Sequence, residues 1–286
     1  MKPTLDSQAE NPKLSPFVRI FFCLASIIVL VGAGLYFIPE RIVPRWLWPL
    51  TPFNANFLGA VYLAELASAS LLIWYNRWAP ARVALPMSYV FTGVVTIVTL
   101  FYLDRFDFQR WLSYFWFVLY IVSALVTALI HYVYRRLPIT NTLALTERFR
   151  WYLFGYGIVH ALYGLSLLIA PAVASGFWPW AIDDFHGRVY SALFLSAAAG
   201  SLFVARSTAA LELRLVGLAQ LATGLLPILG LVMVDASQNR VEWSAAGTWL
   251  WLLGFGTISV TGAIMIWKSL AASIHVASLQ EKRSIS

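Results

Sequence analysis

Eight apolar runs, each long enough to cross a lipid bilayer, dominate this sequence. A helix needs about 17 to 25 predominantly apolar residues to span the hydrocarbon core. Such runs lie at 17–38, 54–75, 83–103, 112–134, 150–171, 188–205, 211–234 and 247–268. The chain is 60% hydrophobic and only 12% charged, so it has too little polar surface to cover itself in water. We therefore predict an all-α, polytopic integral membrane protein with eight transmembrane helices, whose surface contacts the lipid bilayer.

The two halves of the sequence share a pattern. Trp48-Pro49 precedes the second apolar run, and Trp178-Pro179 precedes the sixth. This recurrence predicts two four-helix repeats, residues 16–134 and 150–270. Because four spans are an even number, both copies would face the same way, with a pseudo-twofold axis along the membrane normal, unlike the inverted repeats of many transporters.

Orientation follows from the basic residues. Most Lys and Arg residues lie in the N-tail, in the second, fourth and sixth loops, and in the C-tail. Cytoplasmic segments are enriched in these residues. We expect a protein of the cell (inner) membrane with both termini in the cytoplasm. A disordered tail at 1–15, a linker at 135–149 and a tail at 271–286 would lie on that side.

The Trp-Pro segments connect outward helices to inward ones. Proline interrupts helices, and tryptophan prefers the level of the lipid headgroups. We interpret Trp48, Pro49, Trp178 and Pro179 as interfacial anchors that fix the depth of the helices. A lid over an outward-facing pocket is the alternative.

The second Trp-Pro segment is followed by a polar cluster of Asp183, Asp184, His186 and Arg188. Acidic groups at the start of a helix are ordinary caps, and Arg188 is placed to pair with Asp184. The alternative is that this cluster contacts a ligand or substrate. Two carboxylates and a histidine suit a divalent cation, but Arg188 would oppose it, so we expect no metal.

Three polar residues lie near the middle of predicted spans, namely Glu65, His160 and Gln220. Ionisable groups at this depth are costly and usually face the interior of a helical bundle. One hypothesis brings Glu65 and His160 together between the halves, as a proton relay or substrate site. The alternative is that each is satisfied locally and serves helix packing.

Several function classes are disfavoured. The sequence has no Gly-rich phosphate loop, HExxH or GxSxG motif, and its single cysteine, Cys23, excludes an internal disulfide. His131 and His160 differ in depth, which disfavours one haem iron between them, and we expect no cofactor. Basic residues are spread over short loops, which argues against nucleic acid.

Three readings of function remain. The first is a structural, accessory or sensory membrane protein, with a membrane-protein partner or a second copy of itself. The second is a small-solute or proton-coupled transporter with a site between the repeats. The third is a membrane-embedded enzyme that uses the loop segment 183–188. The sequence does not identify a small-molecule ligand, and it leans away from an enzyme.

Overall fold

The computed structural model describes residues 11–139, 143, 145–207 and 209–285, with side chains described as far as residue 273. Within these residues, eight helices are long and apolar enough to cross a membrane. They are α1 (Pro16–Phe37), α2 (Pro52–Tyr75), α3 (Trp78–Phe101), α4 (Trp111–Tyr134), α5 (Glu147–Ile169), α6 (Asp184–Val204), α7 (Ala210–Gln238) and α8 (Ala246–Ile285). The all-α, eight-helix prediction is confirmed.

Local sequence signals set where the helices begin and end. Ser15 and Thr51 accept hydrogen bonds from backbone N–H groups in the first turns of α1 and α2, as N-cap residues do. Proline follows each of them, where its missing N–H costs nothing. At the other end, Asn76 closes α2 and Asn239 closes α7 in the left-handed conformation, each with φ of 48°, which asparagine tolerates better than most residues.

Two helix boundaries differ from the apolar runs. The third helix begins at Trp78, before the run at 83–103, because Pro80 falls in its first turn, where proline is tolerated. The eighth helix continues to Ile285, well past the run at 247–268, so most of the predicted C-tail is helical. Hydropathy marks the membrane-spanning part of a helix and not its end.

Two faces of the bundle are defined by the connections. The loop face carries residues 38–51, 102–110, 170–183 and 239–245. The described residues of the terminal face are 11–15, 76–77, 135–139, 143, 145–146, 205–207 and 209. Residues 1–10 of the predicted disordered tail lie outside the described part. Residues 11–15 instead pack on the terminal face, where Asn11 Oδ1 accepts from the Ala79 N–H at 3.1 Å and Leu14 is buried.

Helix packing crosses between the halves of the chain. Helices α1 and α2 pack together, as do α3 with α4, α5 with α6, and α7 with α8. In addition α2 packs on α7, α3 packs on α6, and α3 meets α7. Neither half is therefore a separate bundle. The second helix of the first half, α2, packs on α7, and the second helix of the second half, α6, packs on α3.

Tryptophan side chains near the helix ends divide into two groups. One group is strongly exposed, as expected for aromatic residues at the membrane interface: Trp74, Trp111, Trp151, Trp249 and Trp267. The other group is buried at the loop face or, for one residue, at the terminal face: Trp48, Trp116, Trp178, Trp251 and Trp78. The second group belongs to the protein core.

Candidate functional site

The polar cluster at the start of α6 is held by its own hydrogen bonds. Asp183 is the N-cap, and its Oδ1 accepts from the His186 backbone N–H at 2.8 Å and from His186 Nδ1 at 2.7 Å. The hydrogen bond from the His186 side chain is the main reason that the pKa of Asp183 falls from 3.8 to about 2. Asp183 therefore keeps its negative charge at neutral pH, at the N-terminus of α6.

Arg188 fastens α6 to the end of α5. Its Nε donates to the Leu168 carbonyl at 3.1 Å, and its Nη1 donates to Asp184 Oδ2 at 3.1 Å and to the Tyr102 hydroxyl. Arg105 also approaches Asp183, at 3.4 Å. Each charged group of the cluster thus has a partner inside the protein, and the arrangement is that of a cap with ion pairs.

The Trp-Pro segments differ from the predicted interfacial anchors. The rings of Trp48 and Trp178 are only 4% and 7% exposed, so they contact protein and not lipid headgroups. Pro49 is exposed and Pro179 is half-buried, at the edge of the loop face. The two segments anchor the loops to the aromatic core, where large buried rings contribute strongly to packing.

The aromatic core at the loop face is built by exchange between the halves. Trp48, from the first half, packs edge-on against Phe185 with ring centroids 5.3 Å apart. Trp180, from the second half, stacks on Phe53 at 5.6 Å, and its Nε1 donates to Asn54 Oδ1 at 2.9 Å. These contacts close the interface between the halves on this side of the membrane.

Glu65 lies near the middle of α2 and is half-buried. Among the described residues, no side chain or backbone group forms a hydrogen bond or ion pair with its carboxyl. The hydroxyls of Tyr62 and Tyr120 lie near enough to interact with it electrostatically, but they hydrogen-bond to each other at 3.1 Å. Glu65 is therefore an intramembrane acid without a committed partner.

His160 and Gln220 form their hydrogen bonds elsewhere, although Gln220 Oε1 is buried with no hydrogen-bond partner among the described residues. His160 Nδ1 is 2.9 Å from the Tyr156 carbonyl of its own helix, and its ring packs on Tyr156. Gln220 Nε2 donates to the Ser201 hydroxyl at 2.8 Å. The structure does not bring Glu65, His160 and Gln220 into one site, because the three side chains have separate sets of neighbours.

One charged pair was missed by the sequence reasoning. Arg82, in the first turns of α3, donates from Nε to Glu212 Oε1 at 2.6 Å and from Nη2 to Oε2 at 3.2 Å. Glu212 is completely buried in the first turn of α7 and also accepts from the Ser207 hydroxyl. The available signal was a charged residue at the start of each of the apolar runs 83–103 and 211–234, which the predictions from the sequence did not use.

Two depressions in the described part lie away from the middle of the bundle. The larger depression, of about 480 Å³, is on the terminal face beside α1 and is lined by Arg19, Cys23 and Asn76 together with apolar residues. A narrow crevice between α2, α7 and Trp180 lies towards the loop face and is lined by Asn56. Neither connects the two faces.

No group of three or more His, Cys, Asp or Glu side chains suited to a metal ion occurs in the part of the chain that the structure describes. No protein family matches the sequence, and no curated protein or solved structure matches the chain.

Proposed function

We propose that this multi-pass membrane protein is a non-enzymatic structural or accessory component with a closed interior. The observation that carries the proposal is the aromatic core exchanged between the halves, in which Trp48 packs on Phe185 and Trp180 on Phe53. A transporter with a site between the halves needs a cavity lined by polar groups at that interface. An enzyme that uses residues 183–188 needs charged side chains that are not bonded to other groups of the protein. The charged side chains of that segment are instead engaged in structural bonds.

The proposal includes the two-repeat architecture, which the packing supports. Exchanging α1–α4 with α5–α8 turns each pair of packed helices into another packed pair. Single contacts repeat as well: Asn56 Nδ2 donates to the Tyr36 carbonyl at 3.4 Å, and Arg188 Nε donates to the Leu168 carbonyl at 3.1 Å.

Aromatic pairs repeat with nearly the same geometry. Trp116 and Tyr120 have centroids 4.2 Å apart at 32°, and Trp251 and Phe255 have centroids 4.3 Å apart at 33°.

The loop tryptophans repeat too. Trp46 with Trp48 gives 5.5 Å and 77°, and Trp178 with Trp180 gives 5.1 Å and 78°. In this register Trp48 corresponds to Trp180. The register is therefore shifted by two residues from the one that aligns the two Trp-Pro dipeptides, in which Trp48 would correspond to Trp178.

The proposal places the protein in the cell (inner) membrane, with the terminal face in the cytoplasm. Arg77, Arg135, Arg136, Arg148 and Arg150 lie on or next to that face, and cytoplasmic ends of spans are enriched in such residues. The two repeats then point the same way, and both termini lie on the cytoplasmic side.

Cysteine labelling tests the closed interior. In a Cys23→Ser background, Ala197→Cys and Thr223→Cys place a thiol at buried positions on α6 and α7, and Ser237→Cys places one at an exposed position on the loop face. A membrane-impermeant thiol reagent applied from each side should modify only the cysteine at 237 before denaturation.

The labelling result also separates the candidate functions. Modification at 197 or 223 in the folded protein would mean that water reaches the interior, and would overturn the closed-interior proposal in favour of a transport pathway.

A further inference from the structure

The unpartnered carboxyl of Glu65 distinguishes it from the other acids of the helices. Glu212 is completely buried and has Arg82 and Ser207 as partners. Asp235, at the end of α7, accepts from the Trp243 indole N–H at 2.8 Å. Glu65 alone, among the acids in the described helices of the bundle interior, is left at mid-membrane depth with no such contact.

The fold itself does not require an acid at this position. In the proposed two-repeat register, Glu65 corresponds to Ala197, which is 8% exposed and apolar. The hydroxyl pair beside Glu65 corresponds to Phe194 and Phe255, whose rings pack at 6.1 Å. The second half thus fills these three positions with apolar side chains, and His160 beside Phe194 is a polar residue of that layer, so the fold does not require an acid at the position of Glu65.

The surface around Glu65 is suited to the approach of another helix. Towards the loop face, residues 53–62 of α2 are all buried, whereas residues 65–69 are half-buried and Ser70 is exposed. The uncovered part carries Leu66 and the small residues 67–70, of which Ser68 and Ala69 lie on the same face as Glu65. Small residues let a second helix come close in a membrane, where close packing and polar contacts drive association.

We propose that Glu65 is the docking point for a transmembrane helix of another protein that carries a lysine or arginine at mid-membrane depth. This inference rests on the accessory role proposed above. The argument is charge complementarity: a half-buried acid at mid-membrane depth without a partner is stabilised by a cationic partner at the same depth. The small side chains next to Glu65 would receive the body of that helix.

A second copy of this chain does not supply that cation. In the described helices, the basic side chains lie near the ends of the membrane-spanning segments. Arg19, Arg82, Arg188 and Arg214 lie within about two turns of a helix end, and Lys268 lies at the terminal-face end of the apolar run 247–268 of α8. Arg82, Arg188 and Arg214 are also hydrogen-bonded within the protein. The partner is therefore a different chain.

A binding measurement with designed helices tests the inference. The probe is a synthetic Leu/Ala transmembrane helix with one central Lys and an acceptor dye, and its control has Leu at the centre. Energy transfer from the tryptophans of the protein, reconstituted in phosphatidylcholine vesicles, reports binding. We expect the wild type to bind the Lys helix about tenfold more tightly than the Leu helix, and we expect Glu65→Gln to remove the difference.

Two further variants guard against a folding defect. Glu65→Asp keeps the charge and should keep the preference. Glu65→Lys should instead prefer a helix with a central Glu. Equal binding of the Lys and Leu helices to wild type, or a preference that survives Glu65→Gln, would overturn the inference. Labelling at 197 and 223 is measured separately. If the wild type shows no preference for the Lys helix while its interior is closed to the label, this inference is refuted and the proposed function stands.

Discussion

The buried ion pair between Arg82 and Glu212 gives the sharpest prediction about stability. Glu212 is inaccessible, and both of its carboxyl oxygens accept from the guanidinium, at 2.6 and 3.2 Å. Arg82→Ala removes the cation and leaves an uncompensated carboxylate inside the protein. Removing one partner of a buried pair costs about 3 to 5 kcal/mol. At about 2 °C per kcal/mol for a chain of this size, the unfolding midpoint should fall by about 6 to 10 °C.

Thermal unfolding in a mild detergent, followed by tryptophan fluorescence, measures this shift. Arg206→Ala is the matched control, since Arg206 is an exposed arginine on the same face, and it should change stability by no more than about 0.5 kcal/mol.

A double variant isolates the physical reason. Arg82→Met with Glu212→Leu should recover most of the lost stability, because two apolar residues leave no buried charge behind. A difference of about 2 °C in the unfolding midpoint corresponds to about 1 kcal/mol. If the midpoint of Arg82→Ala lies within about 2 °C of that of the control, the reasoning that this pair joins α3 and α7 is refuted.

Two further perturbations test the packing and the loop face. Gly224→Ala should destabilise the protein by about 1 to 3 kcal/mol, because a Cβ at Gly224 would collide with the Ser259 backbone of α8. The control is Gly254→Ala, whose Cβ meets nothing within 4 Å and which should not destabilise the protein. Equal unfolding midpoints for the two variants would contradict the close approach of α7 and α8 at Gly224. The folded-state pKa of Asp183 is about 2, below its ordinary value of 3.8, so its charge stabilises the protein above about pH 4 and this contribution is lost as the pH falls through about 2. The difference in unfolding midpoint between wild type and Asp183→Asn should therefore shrink between about pH 4 and about pH 2. A difference that stays constant over this range would count against the His186 contact.

The sequence predicts the spans well because hydrocarbon imposes a simple rule. A helix satisfies its own backbone groups, so apolar runs of sufficient length become spanning helices almost regardless of their neighbours. The helix ends follow less closely. Trp78 and Pro80 begin α3 before the apolar run starts, and α8 continues into a polar segment, because helix formation does not stop where hydropathy falls.

The roles of individual tryptophans could not be read from the sequence. Trp74 and Trp78 lie on either side of one short turn, yet Trp74 is 85% exposed and Trp78 is 2% exposed. Both satisfy the preference of tryptophan for helix ends, and only the packing of neighbouring helices decides which ring faces lipid. The same limit explains why Trp48 and Trp178 were predicted as interfacial anchors.

Long-range polar contacts were equally inaccessible. Arg82 and Glu212 are far apart in the sequence, and their pairing depends on the packing of α3 against α7. Glu65 was recognised because its depth follows from its own helix. Its lack of a partner and its separation from His160 could be seen only when the neighbouring helices were in place.

The central claim, two like-oriented quartets of membrane-spanning helices, is tested most directly by labelling three single cysteines in a Cys23→Ser background. Gln109→Cys and Ser237→Cys lie in exposed positions at the loop face, in the first and second halves, and Arg136→Cys lies at the terminal face. We predict that a membrane-impermeant maleimide modifies 109 and 237 in intact cells and modifies 136 only after permeabilisation. Modification of 109 and 237 from opposite sides of the membrane would contradict the account.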